Sequence, residues 1–127
     1  MKKLWTFSGW YLLFVGMIHV AVGAILFSDV LADIWNAGLI NSVSEEMDRN
    51  AAFWFMFVGF LFIYLGWHWQ EQIRLSGRPL SKFTAVGMTV MIAVGLAIMP
   101  MSGFWLLLPL CAIMLHSAYC LSTSDKA

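Results

Sequence analysis

Long apolar segments separated by short polar ones dominate this 127-residue chain. A membrane-spanning helix needs about 20 mostly apolar residues, and four segments approach that length, at about 6–27, 51–69, 82–99 and 103–121. The last two belong to one uncharged stretch, which Pro100 and Gly103 interrupt. Because so few residues connect them, we expect these two helices to be antiparallel neighbours. The pattern predicts an all-α four-transmembrane-helix bundle, a single integral-membrane domain of residues 1–127.

The first loop, residues 28–50, carries a helical signal of its own. Four apolar residues are spaced to share one helical face: Leu31, Ile34, Trp35 and Leu39. This spacing predicts a short amphipathic helix on the membrane surface or folded over the bundle. Ser42 and Glu45 then form a capping-box pattern, which predicts the start of the second long helix. Ser81 is the predicted N-cap of the third.

Composition supports a membrane protein. Hydrophobic residues make up 61% of the chain and charged residues only 11%, against roughly 25% charged residues in soluble domains. A soluble protein of this size could not bury so much apolar surface. The net charge is zero and no basic cluster is present, so we expect the lipid bilayer, and no nucleic acid, as a partner.

The basic residues predict the orientation in the membrane. Six of the seven lie on one side of the predicted spans: Lys2, Lys3, Arg74, Arg78, Lys82 and Lys126. Since Lys and Arg favour cytoplasmic segments, both termini are predicted to be cytoplasmic. The first loop, with Arg49 and five acids, is then on the outer side. We expect the first apolar segment to be a span rather than a signal peptide, because it is too long and lacks a good cleavage site.

His19 is the first candidate for function. Gly9, Gly16 and Gly23 recur every seven residues and share one side of a helix with His19, and Gly59 and Gly66 are also seven apart. Small residues let membrane helices approach closely, so we predict that His19 faces the bundle interior. Three interpretations stay open: an imidazole hydrogen-bonded to a backbone carbonyl, Thr84 or Thr89; a contact with a ligand or a proton; or a metal or haem ligand.

A second candidate is the predicted outer mouth. The hypothetical ligand-binding set comprises His19, Trp35, Asn41, Glu46 and Arg49. Arg49 is three residues after Glu46, so a local surface ion pair is geometrically easy. In the functional alternative, Arg49 turns inward and holds an anionic headgroup. A transporter or intramembrane enzyme would use this site through Arg49, Glu46 and His19.

A haem or redox role is a further alternative. His68 and His116 lie near the cytoplasmic ends of two predicted helices, and two imidazoles from two helices hold b-type haem in membranes. Both histidines also fit an interfacial belt, since Trp67, Trp69 and Tyr119 are close in sequence. We predict no catalytic residue, because no base accompanies Ser102, Ser117 or Cys120, and no metal site or cofactor apart from this haem alternative.

Several stretches together resemble a family of small four-span bacterial membrane proteins of unknown function. They are His19, Ala32-Asp33-Ile34 with Gly38 and Asn41, Arg49 with Ala52–Phe55, Gly66-Trp67, and Pro100–Leu106 leading to Leu108-Pro109. The resemblance implies a bacterial inner-membrane, multi-pass protein and no particular activity. The residues favour a non-catalytic protein that binds a lipid-like molecule between its helices, or a membrane subunit that pairs with a partner or with its own copies.

Overall fold

The computed structural model describes residues 4–43 and 46–121, which form five α-helices and no β-strand. In chain order the helices are α1 (Ser8–Leu26), α2 (Ser28–Asn36), α3 (Met47–Ser76), α4 (Lys82–Ile98) and α5 (Leu108–His116). Two short 3₁₀-helices, Leu4–Phe7 and Gly103–Leu107, precede α1 and α5, and a π-helical turn, Ser117–Leu121, follows α5. The predicted all-α class is confirmed.

Three segments are long and apolar enough to cross a membrane: Leu4–Leu26, Met47–Ser76 and Gly103–Cys120. The helix Lys82–Ile98 is apolar but shorter. These segments indicate a multi-pass membrane protein in contact with a lipid bilayer. The second segment is longer at both ends than the apolar run at 51–69, because polar residues continue the same helix beyond it.

The helices α1 and α3 pack against each other more extensively than any other pair. Gly9 meets Gly66, and Gly16 meets Gly59, so we call these four residues the glycine seam. A Cβ atom at Gly66 would lie 2.5 Å from the backbone nitrogen of Leu13 and 2.7 Å from the carbonyl oxygen of Gly9. Only a hydrogen atom fits in such a space, so the seam lets the two backbones touch.

A glutamine ties the two helices together near the start of α1. The Gln70 side chain donates to the carbonyl oxygen of Thr6 at 2.8 Å and accepts from the backbone nitrogen of Trp10 at 3.1 Å. The first N–H groups of a helix have no partner within the helix. Gln70 of α3 therefore supplies a cap for α1, which has no side-chain cap of its own.

The hairpin formed by α4 and α5 packs on another side of α1. Leu12 and Val15 of α1 are buried in one cluster with Leu107, Leu110 and other hairpin residues. The hydroxyl of Tyr11 donates to the carbonyl oxygen of Leu106 at 2.8 Å. The predicted cap of α4 is confirmed: the Ser81 hydroxyl accepts from the backbone nitrogen of Thr84 at 3.1 Å.

This hairpin stops well short of the far end of α1. The helix α5 runs antiparallel to α1. Leu4 and Trp5 border one cleft with residues 112–117, whereas Tyr11, later in α1, bonds to Leu106, which precedes α5. The turn between α4 and α5, residues 99–102, therefore lies beside the middle of α1. From there α1 continues to Leu26, roughly 12–15 Å farther at 1.5 Å per residue. The structure thus combines one long helix pair with one shorter hairpin.

Two predictions for the first loop need correction. The amphipathic helix exists as α2, but only Ile34 is buried, while Trp35 is 70% exposed and Leu39 lies beyond the helix end. The helix ends early because Gly38, Leu39 and Asn41 all have positive φ angles, which leave the helical conformation.

The capping-box prediction was wrong within the described residues. The helix α3 begins at Met47, and its N-cap residue, Glu46, makes no side-chain cap bond. The Ser42 hydroxyl instead donates to the carbonyl oxygen of Leu39 at 3.0 Å, which closes a local turn. Glu45 lies outside the described residues.

Candidate functional site

His19 lies between α1 and α3 and is half-buried. Its Nε2 atom is 3.1 Å from the carbonyl oxygen of Phe55, and its ring stacks on the Phe55 ring with centroids 3.9 Å apart. The two threonines have other partners, since Thr89 donates to Ala85 and Thr84 bonds to Ser81. Of the polar partners considered from sequence, a backbone carbonyl is the one that the structure supplies.

The bond to Phe55 determines which ring nitrogen carries the proton. A carbonyl oxygen can only accept, so Nε2 must donate. The Cδ2 atom also faces α3, because a Cβ atom at Gly59 would lie 3.1 Å from it. The other nitrogen, Nδ1, is on the opposite edge of the ring. No described residue bonds to Nδ1, and this atom is not fully buried. In the neutral ring, Nδ1 is a hydrogen-bond acceptor.

His19 continues the stripe of α1 that the α4–α5 hairpin covers. It lies four residues after Val15 and seven after Leu12, both buried. The next residues on this stripe are Val22 and Leu26, which are 41% and 68% exposed. The change from buried to exposed occurs where the hairpin ends, so the stripe becomes open at the level of His19.

We use the name recess for the surface of α1 beyond this hairpin, at His19 and the exposed Val22 and Leu26, together with the half-buried Phe55 and Val58 of α3. The indole of Trp105 donates to the carbonyl oxygen of Pro100 at 2.7 Å and holds the turn at residues 99–102. The Ser102 hydroxyl oxygen is buried there without a hydrogen-bond partner in the described chain.

Arg49 forms a local cluster at the start of α3. Its Nε atom lies 3.1 Å from a carboxylate oxygen of Glu46, and its Nη1 atom donates to the carbonyl oxygen of Ser42 at 3.0 Å. The guanidinium thereby links the first loop to α3. This is the local ion pair foreseen as the simpler interpretation, extended by one bond to the loop.

The five residues of the hypothetical ligand set occupy different places. Arg49 and Glu46 are together, but Arg49 precedes Phe55, the partner of His19, by six residues, or about 9 Å along α3. Trp35 and Asn41 are exposed on α2 and on the following turn. Along α3, Arg49 is therefore more than one helical turn from the residue that bonds to His19.

His68 and His116 border two separate clefts. His68 stacks on Tyr64 of its own helix and borders a cleft with Glu71 and Gln72. His116 borders a cleft between α5 and the first 3₁₀-helix. The two clefts share no lining residue. No group of three or more His, Cys, Asp or Glu residues in the described chain is arranged to hold a metal ion.

Sequence reasoning missed three residues that organise this region. They are Gln70, which caps α1, Tyr11, which bonds to the hairpin, and Phe55, which bonds to His19. A signal was available for Gln70, because it follows Gly66 by four residues and so shares the face of the glycine seam. No local pattern pointed to Tyr11, since its partner Leu106 is 95 residues away.

Residues 3–119 match a family described only as a family of unknown function (DUF6463). No curated protein and no solved structure matches the chain.

Proposed function

Since this chain belongs to the family of unknown function DUF6463, we propose a function from its structure: a non-catalytic, multi-pass membrane protein that holds a lipid-like molecule in the recess. The molecule lies against α1 and α3, above the turn of the shorter hairpin. The protein is one integral-membrane domain of the bacterial inner membrane.

In this proposal all four apolar helices are embedded in the membrane and both termini are cytoplasmic. The distribution of Lys and Arg supports this orientation, with Arg74, Arg78 and Lys82 around the connection from α3 to α4. The helix α4 is about 25 Å long at 1.5 Å per residue, slightly shorter than the roughly 30 Å hydrocarbon core. The shorter hairpin therefore leaves the recess beside the half of α1 nearer the first loop.

The observation that carries the proposal is a half-buried imidazole in an apolar wall. A polar side chain within a membrane-spanning helix is costly and by default indicates function. The bond to Phe55 satisfies only one of the two ring nitrogens, Nε2, and Nδ1 is left for another partner. The recess residues themselves include no second titratable group, so they fit binding better than acid–base chemistry.

The test is native mass spectrometry of the protein purified in a mild detergent. We expect a retained mass of lipid size. The Val22→Trp variant should lose it, because the indole fills the recess. The matched control is Val90→Trp, since Val90 is also exposed but lies on α4, eight residues before the helix end. A wild-type protein without bound mass, or equal retention by Val22→Trp, would contradict the proposal.

A further inference from the structure

We infer that the recess selects lipids that carry a free hydroxyl group, which donates a hydrogen bond to Nδ1 of His19. The inference rests on the proposed function and names the chemical class of its ligand. It follows from the bonds that His19 makes and from the groups that surround it.

The first step is the proton on the ring. Phe55 supplies a carbonyl oxygen at 3.1 Å from Nε2, and a carbonyl has no proton to give. The neutral ring must therefore carry its hydrogen on Nε2, and Nδ1 presents a lone pair. Nδ1 consequently recognises a donor, such as a hydroxyl group, and cannot bond to an ester or ketone oxygen.

The second step is the surroundings of Nδ1. The side chains that define the recess beside His19 are Val22, Leu26, Phe55 and Val58, none of which can donate a hydrogen bond. An acceptor in an apolar environment is costly when it has no partner. A lipid hydroxyl supplies that partner while its hydrocarbon chain covers the exposed Val22 and Leu26.

The third step is the rigidity of the ring. His19 stacks on Phe55 with an interplanar angle of 12°, and Phe62 approaches its edge with centroids 6.0 Å apart. Gly59 lies beside its Cδ2 atom, which an added Cβ atom would approach to 3.1 Å. A ring held on three sides keeps the direction of the Nδ1 lone pair fixed, so the donor must approach from the recess.

The experiment compares pairs of probes in which the hydroxyl hydrogen is either present or replaced by a methyl group. Purified protein in mild detergent is incubated with 1-hexadecanol or its methyl ether, and with 4-dodecylphenol or its methyl ether. Retained probe is quantified by mass spectrometry after gel filtration. We expect about fivefold greater retention of the alcohol or the phenol, the value of one net hydrogen bond. The pair that shows the preference identifies an aliphatic or an aromatic hydroxyl as the ligand group.

Three variants make the result specific. His19→Phe keeps a stacked ring without Nδ1, and should retain the ethers but lose the preference for the hydroxyl probes. Val90→Trp should keep that preference, and Val22→Trp should reduce retention of every probe. Equal retention of hydroxyl and ether probes by the wild-type protein, or a preference that persists in His19→Phe, would overturn the inference alone. If the wild-type protein retains no probe, or if Val22→Trp retains every probe as well as the wild type, the proposed function is overturned as well.

Discussion

Replacing Gly66 by alanine tests the contact between α1 and α3 at the glycine seam. The added Cβ atom would lie 2.5 Å from the backbone nitrogen of Leu13, 2.7 Å from the carbonyl oxygen of Gly9 and 2.8 Å from the Cα atom of Leu13. Ordinary contacts begin at 3.4 Å. All three neighbours are backbone atoms, so a side-chain rotation cannot relieve the overlap. The helices α1 and α3 must separate by a large part of an ångström.

The expected cost combines two opposing effects. Inserting a methyl group into a packed interface costs about 1–3 kcal/mol. Replacing glycine by alanine within a helix contributes about 0.5–1 kcal/mol in the other direction. We therefore expect Gly66→Ala to lower the free energy of unfolding by up to about 2.5 kcal/mol. The matched control is Gly87→Ala in α4, where a Cβ atom would meet nothing within 4 Å. There we expect no loss and a gain of up to about 1 kcal/mol.

The assay is reversible unfolding in mixed micelles of a mild detergent and increasing dodecyl sulfate. Helical circular dichroism and tryptophan fluorescence report the transition, and both variants are compared with the wild-type protein. A difference of about 1–3 kcal/mol between Gly66→Ala and Gly87→Ala is expected. If Gly66→Ala proves as stable as Gly87→Ala, the two backbones are not in contact at the glycine seam and the reasoning fails.

Three further predictions concern polar contacts. Gln70→Leu removes both bonds to the start of α1 and should lower the free energy of unfolding by about 1–2 kcal/mol, since hydrogen bonds between membrane helices contribute about 0.6 kcal/mol on average and at most about 1.7 each. An unchanged unfolding midpoint would contradict the cap. Ser81→Ala should cost about 1 kcal/mol in the same titration, and Ser81→Asp should restore most of it. Arg49→Gln should change global stability by less than about 1 kcal/mol but accelerate hydrogen exchange and proteolysis in residues 37–43; unchanged rates there would show that Arg49 does not hold the loop.

Much of the helix framework could be predicted from the sequence because its signals are local. Apolar runs determine where the long helices lie, and Ser81 caps α4 because its hydroxyl needs only the backbone three residues away. The spacing of Gly9, Gly16 and Gly23 also predicted the inward side of α1, which the structure shows packed on α3. A repeat of seven residues returns to the same side of a helix, whatever surrounds it.

The first loop shows where local patterns failed. Ser42 and Glu45 match a capping box, yet α3 begins at Met47. The Arg49 side chain instead donates a hydrogen bond to the carbonyl oxygen of Ser42. Trp35 shares the apolar spacing of Ile34 but is exposed. A pattern shows which side chains can act as caps or core residues, whereas competing partners from the folded chain decide which of them do.

The sequence by itself determined the helices, their apolar character and the inward side of α1 on which His19 lies. The tertiary structure decided how far the α4–α5 hairpin extends along α1, and therefore whether the surface around His19 is covered or open. That offset depends on contacts such as Tyr11 with Leu106, 95 residues apart. Hydropathy and helical periodicity describe each helix separately, so they contain no information on the relative axial position of two hairpins. Packing of Leu12 and Val15 against the hairpin sets this position, and the residues of α1 beyond His19 on the same side, Val22 and Leu26, are exposed.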